Sequence, residues 1–391
     1  MCERQPINCI IPPHILKNIA EKGIPSQSEK ALMTLVSTEQ LRGRRVGLSS
    51  MSTLFPSVDT GVTGKNRVVY SAKNGLSLPG VVVRRENEQP IADEAANEAF
   101  DGSGDTYDLF HDIYARHSID DRGFSLESTI HYQVSYDNAF WDGAQMVYGD
   151  GDEDLPEADR IFNRFTVSLD VIGHELTHGV IQNECKLIYW DQAGALNESF
   201  ADVFGILVKQ YKLKESVVES DWTIGSDIFT KNVKANGLRS MIQPGTAYDD
   251  PIIGKDPQPA HMNEYVITTA DNAGVHINSS IPNRAFCLTA IEIGGYAWEK
   301  AGLIWYSTLT KMITENSNFQ DAANKTYVTA ANLFGVGSLE QIAVKKGWAQ
   351  VGIEVNFDGT NQTPKPGQPL GSGCLPGLFN SVMVIKNFGK G

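Results

Sequence analysis

Short β-branched runs dominate the first part of this chain, and apolar residues at helical spacing dominate the rest. Arg67–Tyr70 and Gly80–Arg85 read as strands, with the turn-forming pair Asn74-Gly75 between them. A helix is predicted over Ile91–Ile119, and more strand character over residues 129–136 and 145–148. Beyond about residue 160 the 3.6-residue period takes over. Phe162–Asn183, Ala193–Tyr211, Ser279–Ile293, Ala297–Glu315 and Asp321–Leu333 read as helices. Strands first and helices afterwards predict an α+β fold of two lobes with a cleft between them.

The two ends carry different patterns. Residues 1–50 read as a small separate unit, with helical spacing at Ile15, Leu16 and Ile19 and a second apolar cluster at Ala31, Leu32, Leu35 and Val36. Pro12-Pro13 stands just before it, and either pre-orders an extended strand or simply precedes a helix. Basic Arg42-Gly43-Arg44-Arg45, followed by small and polar residues up to Thr53, reads as an exposed linker. Residues 356–391 hold seven Gly and four Pro, then the apolar run Leu378–Ile385, and read as a flexible extension.

Composition narrows the class. Of the 391 residues, 41% are hydrophobic and 20% charged, which fits a globular chain with a sizeable core. The net charge is −14, but residues 1–50 hold seven Lys/Arg and four Asp/Glu, so a +3 leader precedes a −17 body. Such a body is a poor match for nucleic acid or an anionic membrane surface, and the leader suggests an intramolecular partner. No uncharged apolar run reaches the eighteen or so residues of a membrane span. The start lacks the basic-then-apolar order of a secretory signal peptide. Five scattered cysteines form neither a disulfide framework nor a CxxC zinc pattern.

The chemistry concentrates in Val171–Val180, which contains His174-Glu175-x-x-His178. On a helix the two imidazoles lie one turn apart on one face and can converge on a tetrahedral metal. Glu175 stands beside them as a candidate general base. A third ligand is sought in Gly194–Asp202, where Glu198 and Asp202 share a helix face between apolar Leu196, Phe200, Val203 and Phe204. One carboxylate can ligate the metal while the other accepts a hydrogen bond from a ligand imidazole. Cys185 would lie roughly 10 Å along the axis from His178, too far to share a metal.

These motifs resemble the thermolysin family of zinc endopeptidases, together with Tyr136–Trp141, Met146–Gly151, Leu238–Met241 and Asp271–Ser279. The resemblance runs from about residue 65 to about 355. It implies a two-lobed metalloprotease with one catalytic zinc on His174, His178 and Glu198, and Glu175 as base. Tyr189 and His276 would donate to the oxyanion, and Asp271 would orient His276. Asp202 and Asn197 would support the zinc histidines, while Asn138, Ala139 and Arg239 would hold the substrate backbone. The implied activity is cleavage of peptide bonds on the amino side of bulky hydrophobic residues.

The leader resembles the short propeptide of protealysin-type members. That implies an inhibitor in cis, with Pro12, Pro13 and Leu16 in the active-site cleft, removed between about Arg45 and Thr53. The expected domains are residues 1–50 (propeptide), 51–186 (N-terminal lobe with the HExxH helix), 187–355 (helical lobe) and 356–391 (extension). A thiolate from Cys2 or Cys9 on the zinc is the alternative inhibitory contact. A monomer is expected, secreted by a route without a visible signal peptide or else cytoplasmic. The competing class is a protein that keeps fold and zinc only to bind a partner. Such a chain would be expected to have lost Glu175, His276 or Tyr189, and all three are present.

Calcium is where this sequence departs from the family. Asp170, Asp221 and Asp227 match the pattern of its double calcium site, but Lys209, Thr223 and Ser226 occupy positions where carboxylates belong. Calcium is therefore not expected there, and Lys209 is expected to pair with Asp170 or Asp221. Acid-rich Asp150–Asp159 could still attract calcium, but it lies in a family loop motif and reads as a solvated turn.

Overall fold

The computed structural model describes residues 8–52 and 64–356, with side chains of residues 9–41 in the first stretch. The readings for Cys2 and for the extension after Asn356 lie outside the described residues.

The β-branched runs assemble into one six-stranded sheet. Its strands are β1 (Asn8–Cys9), β2 (Arg67–Ser71), β3 (Val81–Arg85), β4 (Leu126–Ile130), β5 (Ala139–Trp141) and β6 (Met146–Tyr148), in the order β1-β5-β6-β4-β2-β3. β2 pairs antiparallel with β3, and β4 runs parallel to both β2 and β6. β5 is antiparallel to β6 on one side and to β1 on the other, so the leader supplies an edge strand. The strand expected over residues 129–136 stops at Ile130. His131, Gln133 and Ser135 adopt left-handed backbone, which breaks the ladder, and His131 is clamped between Asp93 and Asp150.

In the leader one open alternative is resolved and one expectation is corrected. Pro12 is extended, but Pro13 is the first residue of helix α1 (Pro13–Lys22), so the Pro-Pro pair ends a strand-like entry and starts a helix. This is the position where a missing N–H costs nothing and the fixed φ suits the helix. The stretch read as a linker belongs to α2 (Pro25–Ser52): Gly43 and Gly47 lower helix propensity, but no proline stops it.

The body is mostly helical, as the period predicts. α3 (Glu94–Tyr114) packs on the sheet, and α4 (Leu169–Glu184) and α5 (Asp191–Leu213) lie at the centre. They are followed by α6 (Asp271–Asn278), α7 (Ser280–Ile293), α8 (Lys300–Lys311), α9 (Phe319–Phe334) and α10 (Leu339–Gln350). The last has no counterpart in the sequence reading. Its apolar residues form no clean stripe, since Leu339 and Ile342 face solvent while Val344 and Trp348 are buried. Phe110, Tyr114, Phe204 and Tyr306 form one aromatic cluster where α3, α5 and α8 meet, with Tyr114 stacked on Tyr306 and the other contacts edge-on or tilted.

One close approach positions the site. A side chain at Gly173 would press on the Gly205 backbone, and one at Gly205 would strike the α4 backbone at Asp170 and His174. With glycine at both positions, α4 and α5 meet nearly backbone to backbone, and the acids of α5 reach the histidines of α4.

Candidate metal centre and active site

α4 buries His174, Glu175 and His178 completely, and α5 buries Glu198, Asn197 and Asp202 against them. One ligand atom from each of His174, His178 and Glu198 lies within 4.8 Å of the other two. The two imidazole Nε2 atoms are 3.0 Å apart, and each is 3.5 Å from a Glu198 oxygen.

The proton positions test whether these residues fit a cation. His174 Nδ1 donates to Asp202 Oδ1 at 2.9 Å, and His178 Nδ1 donates to Asn197 Oδ1 at 2.8 Å. Asn197 is oriented by its own amide, which donates to Leu187 O. In the neutral rings both Nε2 atoms therefore carry lone pairs, and these face each other and a carboxylate. Glu198 Oε2 is buried without a hydrogen-bond partner. Three electron-pair donors converging without a proton between them fit a divalent metal with nitrogen and oxygen ligands, as zinc sites require. Burial, then the neighbouring His174, pushes the His178 pKa well down, which favours the ligating neutral form.

Asp202 is the hub behind the site. Arg239 donates to it through Nε and Nη2, both at 2.8 Å, and Asn283 Nδ2 donates at 2.7 Å. Burial opposes its charge, but Arg239 and His174 hold its pKa well below the usual carboxylate range. Asn283 was invisible to sequence reasoning, as was Gln258, whose amide donates to His276 O at 2.7 Å. Neither sits in a local motif, and only the fold brings them in.

Across the cleft, Tyr189 donates to Glu198, and its Oη lies 3.2 Å from His276 Nε2. Asp271 grips His276 twice, accepting from Nδ1 at 2.6 Å and from the backbone N–H at 3.0 Å. This grip needs a tight turn, and Asp271, Asn272, Ala273 and Gly274 all have left-handed backbone. Three non-glycine residues in that region store strain at the site. Burial disfavours a charged His276, but the Asp271 and Glu198 carboxylates outweigh it and raise its pKa. Glu175 Oε2 accepts from Trp141 N at 3.0 Å, while Oε1 is buried without a partner. Burial first, then the charge of Glu198, raises its pKa well above the ordinary value.

The leader fills this cleft with residues 9–11. Ile10 N donates to Ala139 O at 3.2 Å, and Ile11 N donates to Asn138 Oδ1 at 3.0 Å. Arg239 Nη1 donates to Ile10 O at 3.3 Å, and His276 Nε2 lies 3.0 Å from Cys9 O. The structure thus brings Asn138, Ala139 and Arg239 onto one extended backbone. Cys9 contributes its carbonyl here, while its side chain packs with Tyr132, Tyr136 and Phe140 and is not in the metal-ligand group. Pro12, Pro13 and Leu16 were expected in the cleft, but it is the strand before them that meets the catalytic groups. Leu16 instead sits in the buried face of α1, which is hydrogen-bonded to the 248–253 region through His14 and Asn18.

The acidic 150–159 turn also differs from expectation. Asp152 is buried, accepts from the N–H groups of Ile161 and Phe162, and pairs at 3.0 Å with Lys30 of the leader. Lys30 also donates to Gly151 O at 3.0 Å and contacts Asp154. Lys209 lies 3.7 Å from both Asp170 and Asp221 and donates to Ser226 Oγ at 2.9 Å.

Comparison with known proteins agrees with this geometry. Residues 56–182 match the model of the thermolysin metallopeptidase catalytic domain, and residues 185–353 match that of its alpha-helical domain. The chain belongs to the thermolysin metallopeptidase family and is a zinc metalloendopeptidase. It is 46% identical over 352 residues to an extracellular metalloprotease of Pectobacterium carotovorum subsp. carotovorum, covering 90% of this chain and 98% of that one. Protease PrtS of Photorhabdus sp. (strain Az29) is 44% identical over 351 residues, covering 88% and 92%. Among solved structures, the precursor of protealysin, a metalloproteinase from Serratia proteamaculans, superposes with a TM-score of 0.79 at 46% identity. That match covers 88% of this chain and 99% of the protealysin precursor.

Proposed function

We propose that this chain is the autoinhibited precursor of an endopeptidase that cuts on the amino side of bulky hydrophobic residues and acts outside the cell. The observation that carries the reading is the convergence of His174, His178 and Glu198 beside a buried Glu175, with a peptide strand of the leader lying across them. A relative named extracellular metalloprotease and a structural neighbour titled as a precursor support the location and the inhibited state.

Zinc bound to the three ligands supplies a Lewis acid that polarises the scissile carbonyl and acidifies a water molecule. The remaining roles belong to the chain. Glu175 Oε1, buried and without another partner, takes the water's proton and returns it to the leaving amine. His276 Nε2 faces the point where the Cys9 carbonyl oxygen sits, Tyr189 Oη lies 3.2 Å from that nitrogen, and the two serve as the oxyanion donors once a substrate draws the phenol away from Glu198. Asp271 fixes the ring of His276, while Asp202 and Asn197 fix the tautomers of His174 and His178. Asn138, Ala139 and Arg239 align the substrate backbone, as they align the leader. The leader inhibits by occupying those same hydrogen-bonding groups, and α2 anchors it through Lys30. The Lys209 ammonium takes the place of calcium between Asp170 and Asp221.

Hydrolysis of casein or a furylacryloyl peptide by the processed protein, with and without a zinc chelator, tests the activity. Peptide-library profiling tests the preference, and selection of acidic or basic residues after the cut would overturn it.

A further inference from the structure

The strand of the leader is not merely in the cleft; it is placed there as a substrate would be. Among the described residues of the leader, the Cys9 carbonyl is the one that meets His276 Nε2, at 3.0 Å. That nitrogen is also 3.2 Å from Tyr189 Oη and 3.6 Å from Glu198 Oε2, so the Cys9 carbonyl points at the metal ligands. The next residue is held on both sides, Ile10 N by Ala139 O and Ile10 O by Arg239. Ile11 N is fixed by Asn138, and the side chains of Ile10 and Ile11 are fully buried. The Cys9–Ile10 peptide bond therefore lies between the oxyanion donors and the groups that hold the residues after the cut. An aliphatic residue follows it, as the proposed specificity requires.

We propose that the zinc-loaded chain hydrolyses its own Cys9–Ile10 bond, as a first step that precedes removal of the rest of the leader. The inference rests on the hydrolytic function proposed above. The oxygen of one water molecule joins the Cys9 carbonyl carbon, and the bond from that carbon to Ile10 N breaks. The water proton held by Glu175 passes to Ile10 N. The products are residues 1–9 ending in a carboxylate and a chain beginning at the Ile10 amine.

What happens to the two new ends decides whether the cut persists. The downstream end stays anchored by α1, through His14 to Tyr248 and Asn18 to Ile253 O, and by α2 through the buried Lys30–Asp152 pair. The upstream end has, among its described residues, the pairing of Asn8 and Cys9 with Trp141 and Phe140. Once cut, it loses the effective concentration that the covalent link supplied. Resynthesis of the bond is therefore disfavoured, and departure of the fragment frees the β5 edge that Asn8 and Cys9 occupy.

The test uses the full chain, depleted of zinc and then reloaded, with intact-mass spectrometry over time. The expected result is a species beginning at Ile10, plus the fragment of residues 1–9. Its first-order rate should not change over about a tenfold range of protein concentration. Glu175→Gln should bind zinc and slow this cut by at least about a hundredfold. A second readout needs no turnover: in the zinc-free chain, hydrogen exchange at the amides of Ile10 and Ile11 should be slow. Fast exchange there, or a rate that scales with protein concentration, overturns the inference. So does a chain that hydrolyses added peptide while Cys9–Ile10 stays intact. If neither the added peptide nor the leader is cut, the proposed activity itself fails, and this inference with it.

Discussion

Glu175 contributes two different oxygens: Oε2 is fixed by the Trp141 N–H, and Oε1 is buried and open to accept a proton. It is not one of the three converging ligand residues. Glu175→Ala is therefore expected to keep stoichiometric zinc while peptide hydrolysis falls by about 10²–10⁴, the range for loss of a positioned base. Glu198→Ala should lose zinc and activity together. Metal analysis beside kinetics separates the two, and wild-type turnover in Glu175→Ala would falsify the assignment. A second residue-scale expectation concerns His131, outside the active site. Hydrogen bonds that its ring donates to Asp150 raise its pKa to about 9, against opposing burial and with help from Asp93. A raised histidine pKa stabilises the fold fully below the ordinary value of 6.5, and that stability is lost as the pH rises through about 9. The shift alone would be about 3 kcal/mol, but the ring is only half-buried and solvent screening reduces this to about 1 kcal/mol. The Tm advantage of wild type over His131→Asn should therefore shrink by about 2 °C between pH 6 and pH 9.5. A constant difference would show that folding does not raise the pKa of this ring.

At the scale of elements, what the sequence reveals depends on how local the physics is. The zinc histidines share one helix four residues apart, so helical geometry alone brings them together, and Glu198 and Asp202 follow the same rule on α5. Residues 131–136 are read wrongly as strand because His131, the first of their left-handed residues, is held by Asp93 and Asp150 far along the chain. The entry of residues 9–11 into the cleft is hidden for the same reason. The run is too short to declare itself, and its partner β5 lies about 130 residues away. Lys30 is a further case: on α2 it looks like a solvated lysine, and only the fold buries it against Asp152. Burial opposes the ammonium, yet Asp137 and Asp152 outweigh it and raise its pKa. Lys30→Met should leave Asp152 and Asp137 buried without their cation, loosening the leader by about 3–5 kcal/mol. Limited proteolysis of the precursor should then remove α1 and α2 faster than in wild type, and an unchanged rate would mean the pair does not anchor the leader.

For the molecule as a whole, the question is how a body this acidic neutralises the carboxylates gathered at its centre. α4, α5 and the loop near residues 221–227 bring Asp170, Asp221 and Asp227 toward one another, and burial followed by Asp170 raises the pKa of Asp227. A cation is needed there, and Lys209 supplies one from α5, 3.7 Å from both Asp170 and Asp221. The oxygens a calcium ion would want are already in use. Asp170 Oδ1 accepts from Ser168 Oγ and Val171 N, and Oδ2 accepts from Gly225 N. Ser226 Oγ is bound to the ammonium itself. Six to eight oxygens are what calcium prefers, and here it would also have to displace or approach a fixed positive charge. Removal of calcium with a selective chelator, at constant zinc, should therefore shift the Tm of the precursor by less than about 2 °C. Lys209→Met should lower it by considerably more, because fully buried Asp170 then loses its countercharge, a change of about 3–5 kcal/mol for a buried pair. A fall of about ten degrees on chelation alone, several kcal/mol for a chain of this size, would mean that calcium rather than Lys209 neutralises these acids.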